Sequence, residues 1–120
     1  MASRVSLVLD CHDPERQARF WAEALEYRIL GSEGSYVLLA APDDAGPRLV
    51  LQRVRETKET KNRMHVDLHP SDIETEAERL IQLGAHRVPA EPVEELGGRW
   101  IRMADPEGNE FCLCDAGCGG

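Results

Sequence analysis

No stretch of this 120-residue sequence approaches the roughly 18 consecutive apolar residues of a membrane-spanning helix. Met1-Ala2-Ser3-Arg4 has none of a signal peptide's apolar run, so a cytoplasmic location is expected. Basic residues are also in short supply. Fourteen lysines and arginines face 22 aspartates and glutamates, giving a net charge of −8 and a pI near 4.9. That deficit argues against nucleic acid and anionic membrane as partners, since both demand a basic footprint. It is compatible with a cationic ligand, but solubility alone is the stronger reading of an acidic balance. Spaced cysteine pairs are missing too. Cys11, Cys112, Cys114 and Cys118 contain no Cys-x-x-Cys, so reduced thiols and no structural zinc cluster are expected.

What is present is one domain's worth of chain, long enough to bury a core without staples, and the chain repeats itself. Leu7-Val8-Leu9-Asp10 and Asp13-Pro14-Glu15 lead into a helical pattern ending at Ala24-Leu25-Glu26-Tyr27. About 60 residues later, His65-Val66-Asp67-Leu68-His69 and Ser71-Asp72-Ile73-Glu74 lead into one ending at Leu83-Gly84-Ala85. Each half then carries a turn with Pro and Gly, followed by an apolar strand: Pro42 to Leu51, and Pro106 to Leu113.

Strands are expected at Val5–Leu9, Tyr27–Leu30, Tyr36–Ala40 and Leu49–Val54. Gly31 to Gly34 and Pro42 to Pro47 read as turns, and Cys11-His12 as loop. The first helix opens at Asp13-Pro14 and buries Phe20, Trp21, Ala24 and Leu25. Arg55 to Asn62 is polar and aperiodic, a connection. In the second half, strands are expected at Arg63–His69 and Arg87–Val88, with a hairpin of Arg99–Met103 and Glu110–Cys114. The second helix is capped by Ser71 with Glu74 three residues on, and turns Ile73, Ala77, Leu80 and Ile81 inward. Pro89 to Glu95 reads as loop, and Ala116 to Gly120 as a frayed tail. Each half is strand, helix, strand, strand, strand.

Alternation puts His65, Asp67 and His69 on one face, with Val66 and Leu68 toward the helix. Three titratable groups on one strand can hold a proton or orient a polar ligand. By the same alternation Glu110, Cys112 and Cys114 share a face, and Trp100 lies opposite Ile101 and Met103.

The order of elements, twice over, resembles the vicinal-oxygen-chelate superfamily of glyoxalase I, extradiol dioxygenases and bleomycin-resistance proteins. The residues that carry the likeness are Asp13-Pro14 before Phe20-Trp21 and Ala24-Leu25, Asp72 before Leu83-Gly84-Ala85, and above all Asp105-Pro106-Glu107-Gly108-Asn109-Glu110-Phe111. Within the superfamily, His65-Val66-Asp67-Leu68 is similar to the bacterial glyoxalase-like proteins. The resemblance implies an α+β fold of two tandem βαβββ modules, 1–57 and 58–120, whose curved mixed sheets form a cleft. It also implies a homodimer. In that superfamily a metal is held by the first and last strands of each unit. The corresponding positions here are His65 and Cys112 in the second half, and Ser6 and Val50 in the first, with Gln52 one pleat further. Only His65 matches the usual His, Glu or Gln, so a degenerate site is expected and no cofactor is assigned.

The leading expectation is a glyoxalase-like protein that binds a small organic molecule in the inter-module cleft, with a sequestration role. Its contacts would come from His65, Asp67, His69, Gln52, Trp100, Cys112 and Ser6. The alternative is a lyase, isomerase or dioxygenase using a divalent metal (Zn, Fe, Mn or Ni) on His65, Gln52, Cys112 and Glu110. A third expectation is metal-free acid–base chemistry by His65, Asp67 and Glu110.

Overall fold

A computed structural model describes residues 4–62, 64–88, 93–95 and 98–115. The chain divides into two units, Met1–Lys58 and Glu59–Gly120. The first contains β1 (Ser6–Cys11), α1 (Pro14–Leu25), β2 (Arg28–Glu33), β3 (Tyr36–Ala40) and β4 (Arg48–Arg53). The second contains β5 (Val66–Leu68), α2 (Ile73–Gln82), β6 (His86–Arg87), β7 (Val93–Glu95), β8 (Gly98–Ala104) and β9 (Glu110–Cys114). The fold is α+β, and each sheet is mixed.

In the first unit the strand order is β1-β4-β3-β2, with β1 and β4 parallel and the other neighbours antiparallel. Asp13 caps α1 by accepting from the Arg16 amide, and Pro14 takes the first helical turn, where its missing N–H costs nothing. The helix buries Phe20, Trp21 and Ala24, and the two rings meet edge to face at 5.1 Å. Beneath them the sheet contributes Val37, Leu39, Leu49 and Leu51, all buried. Two local expectations change. Cys11 is not in a loop: it ends β1, buried, with its thiol toward the Gln52 carbonyl. Gly31 to Glu33 do not turn but extend β2, because a bulge between Ile29 and Gly31 keeps that edge paired to β3.

The second sheet repeats the plan as β5-β9-β8-β6, again with its first two strands parallel. Its helix is capped by Asp72 rather than Ser71. The Asp72 carboxylate accepts from the Glu74 amide and the Thr75 hydroxyl. Those bonds favour the charged form and hold its pKa below the usual value, the Thr75 bond most strongly. Ile73, Ala77 and Leu80 are buried against Ile101, Met103, Phe111 and Leu113, but Ile81 is 41% exposed at the edge of the stripe. β7 is a strand where a loop was expected over Val93 to Glu95. It pairs with the Gly98–Trp100 end of β8, while β6 takes the Met103–Ala104 end. The rest of that expected loop, residues 89–92, and the tail with Cys118 lie outside the described residues. Of the expected strand Arg63–His69, Arg63 lies outside the described residues. Among the described residues Val66 to Leu68 pair with β9, and Pro70 follows directly after His69. Val66 is correspondingly 39% exposed rather than packed inward.

The two sheets can be compared row by row. In the first, Val8 pairs with Val50 and Val50 with Leu38, an apolar row on the face away from α1. In the second, the matching row is Asp67, Cys112 and Arg102. The same backbone plan thus carries either apolar or ionic side chains there.

One charge cluster has a measurable consequence. Asp44 bonds to Arg4 at 2.6 Å and to Arg48 at 3.2 Å. The Arg48 hydrogen bond first, then Arg4, lowers the carboxyl from 3.8 to about 2. Because the folded pKa lies below the unfolded one, this contribution is complete above about pH 4 and is lost as pH falls toward 2. Asp44→Asn is therefore expected to flatten the acid limb of a melting-temperature profile between about pH 4 and 2. Wild-type and variant curves that stay parallel across that window would contradict it.

Candidate functional site

The open face of the second sheet carries a cavity of about 370 Å³, lined by Lys61, His65, Asp67, Trp100, Arg102, Glu110, Phe111, Cys112 and Cys114. Register explains why these side chains meet. Parallel pairing sets Asp67 beside Cys112, and the antiparallel hairpin sets Cys112 beside Arg102 and Cys114 beside Trp100. Alternation turns Ile101, Met103, Phe111 and Leu113 into the core and leaves their neighbours on the open face.

The hairpin itself is fixed by Asp105. Its fully buried carboxylate accepts from the amides of Glu107 and Asn109, each at 2.9 Å, and from the Asn109 side-chain amide. Gly108 takes φ +89°, a conformation open to glycine and costly for other residues. The Asp-Pro-Glu-Gly-Asn turn therefore sets the hairpin register that puts Cys112 opposite Arg102.

His65 stands just before β5. Its Nε2 lies 3.4 Å from Asp67 Oδ1. Donor atoms of His65, Asp67 and Cys112 all lie within 4.8 Å of one another. One nitrogen, one carboxylate oxygen and one sulfur form a donor set suited to zinc and its first-row relatives. The N···O edge of a tetrahedral zinc site spans ~3.3 Å, from Zn–N and Zn–O distances near 2.0–2.1 Å. The His65–Asp67 separation already matches that edge.

Glu110 lines the cavity, but Lys61 Nζ is bonded to its carboxylate at 2.5 Å, and Asn62 accepts from its amide. It is thus a paired carboxylate beside the donor group rather than part of it. His69 is exposed, beyond the end of β5, and does not line the cavity. Ser6 and Gln52 lie in the first unit, at the start of β1 and near the end of β4, where Gln52 pairs with Asp10 and Tyr36. The ligand set expected from sequence was His65, Gln52, Cys112 and Glu110. The structure brings together His65, Cys112 and Asp67, the last anticipated only as a ligand-binding or acid–base group. Lys61 and Arg102 were missed. Arg102 was within reach, because the alternation that places Trp100 on this face places Arg102 there too. The chain's acidity is not the cavity's, which holds two cations.

The glyoxalase-like domain family matches residues 6–114. No curated protein matches the sequence. Among solved structures, the fosfomycin resistance protein FosX from Listeria monocytogenes aligns with TM-score 0.76 at 17% identity, over 97% of this chain and 94% of that one. A glyoxalase-related enzyme from Fulvimarina pelagi aligns with TM-score 0.73 at 17% identity, over 96% and 88%. A glyoxalase/bleomycin resistance protein/dioxygenase family enzyme from Burkholderia phytofirmans gives 0.72 at 14%, over 95% and 98%. At these identities the likeness is one of fold. No helix among the described residues is long and apolar enough to cross a membrane.

Proposed function

Because the chain belongs to the glyoxalase-like domain family, we propose that it binds a small oxygen-bearing organic molecule on the open face of its second sheet, with a divalent metal held by His65, Asp67 and Cys112. The observation that carries the reading is the convergence of those three donors within 4.8 Å, beside a cavity of about 370 Å³. Three protein ligands leave a position for a ligand oxygen, the pattern of reactive rather than structural zinc sites. When bound, such a metal supplies Lewis acidity toward that oxygen.

The chain's own side chains do the rest. Trp100 offers an apolar wall. Glu110, one of the cavity's lining residues, can take or return a proton, and Lys61 keeps it in place. Lyase, isomerase and dioxygenase chemistry all use such an arrangement, whereas sequestration needs only the binding. A homodimer in the cytoplasm completes the proposal. It is supported by the exposed apolar Val8, Leu30 and Tyr36 on the first sheet, which a second copy would cover.

A metal-free reading has one observation in its favour, the 3.4 Å His65–Asp67 pair, which makes an acid–base couple on its own. Zinc analysis separates the two. Protein purified without chelator is expected to carry one zinc per chain, and cobalt substitution is expected to give thiolate-to-cobalt charge-transfer absorption. Protein that neither retains nor takes up zinc or cobalt would overturn the metal reading and leave the acid–base couple.

A further inference from the structure

We infer that Arg102 is an oxyanion-recognition residue, so that the ligand of this cavity is an anion carrying a carboxylate or a phosphorus oxyanion. The inference deepens the small-molecule reading above and rests on it for the site, but not on the metal. Four observations converge. First, Arg102 lines the cavity and sits in direct register with Cys112, itself in register with Asp67. Adjacent strands lie about 4.8 Å apart, so the guanidinium rises one strand from the thiol and two from the carboxylate.

Second, the guanidinium is uncommitted. Of the second unit's other described arginines, Arg79 is bonded to Glu76, and Arg87 and Arg99 both to Glu74. Among the described residues no side-chain bond or ion pair holds Arg102. The nearby acid Glu110 is already met by Lys61. Among the second unit's described arginines, Arg102 is the one without an acid partner.

Third, the fold does not require a charge there. The first sheet builds the same row from Val8, Val50 and Leu38. Arg102 occupies the place of Leu38, so its charge answers something other than sheet packing. Fourth, Trp100 lies two residues away on the same face, and both line the cavity. An anionic head with a short apolar body would meet the guanidinium and the indole together. Arginine's planar fork suits a carboxylate or phosphonate bidentately, which a lysine point charge does not.

The test uses zinc-loaded full-length protein and a matched set of chelating probes: acetohydroxamate, succinic monohydroxamate, and the methyl ester of the latter. Isothermal titration is expected to show the carboxylate-bearing probe binding about tenfold or more tighter than the two uncharged ones, the worth of a charge-assisted hydrogen bond. In Arg102→Gln that preference is expected to fall within about twofold, with zinc affinity and melting temperature unchanged because the side chain is exposed. Arg102→Lys should recover part of it. A phosphonate in place of the carboxylate decides the source. Tighter binding assigns a phosphorus oxyanion and weaker binding a carboxylate, and either ranking supports the inference. Equal binding of charged and uncharged probes by wild type, a preference that survives in R102Q, or no binding of any probe at millimolar concentration overturns it. The set is repeated after chelator treatment. A carboxylate preference that persists there and disappears in R102Q upholds the anion subsite even where zinc fails to bind, so the two readings fail separately.

Discussion

His65→Ala and Cys112→Ser are each expected to lower zinc affinity about a hundredfold or more. Groups that merely orient a metal's ligands are worth about 10–100-fold, and a ligand itself is worth at least as much. Asp67→Asn keeps an oxygen donor but loses the charge, so a smaller loss is expected. Two further variants discriminate between ligand sets. Glu110→Gln should leave zinc affinity nearly unchanged, since Lys61 already occupies that carboxylate. Gln52→Ala should do the same, since the converging donors are His65, Asp67 and Cys112. Zinc displaces the proton of a thiol and needs an unprotonated imidazole, so wild-type affinity should climb between about pH 6 and 8. Competition titrations against a chromophoric chelator measure all of these. A large loss in the Glu110 or Gln52 variant, with little in Asp67→Asn, would restore the ligand set expected from sequence.

The second large effect is on stability. Asp105→Ala is expected to cost about 2–4 kcal/mol in urea unfolding, and to lower the melting temperature by roughly 10 °C. The carboxylate is fully buried and satisfies two backbone amides and the Asn109 side chain. Its removal leaves those donors without an acceptor where water has little access. Asp105→Asn retains one acceptor oxygen and should fall between. Because this turn sets the register of Cys112 against Arg102, the alanine variant should also weaken zinc binding, although Asp105 is not among the cavity's lining residues. A variant as stable as wild type would show that the β8–β9 hairpin is held by its core face alone.

The repeat, both helices and the β8–β9 hairpin were legible because each rests on local chemistry. Asp13-Pro14 and Asp105 to Asn109 are short signals with a physical mechanism, and the apolar stripes of both helices have helical spacing. Three things were not legible. The cap of α2 went to Asp72 rather than Ser71, since both are good capping residues and only backbone angles decide. β7 arises by pairing with β8, not from any alternation of its own. Most important for the site, Asp67 meets Cys112 through parallel pairing of segments about 45 residues apart. Alternation says which face a side chain takes, but not which distant strand lies alongside. Sequence therefore named His65 and Cys112 as donors and gave Asp67 a ligand-binding or acid–base role, without placing it beside Cys112.

The row of Val8, Val50 and Leu38 gives the protein designer a blank template. Ser6→His, Val8→Asp and Val50→Cys would write a twin of the donor trio onto the other half of the chain, at positions where backbone pairing already matches. Leu38→Arg would add its guanidinium. Such a graft would ask whether a set of donors is portable between two sheets of like strand order.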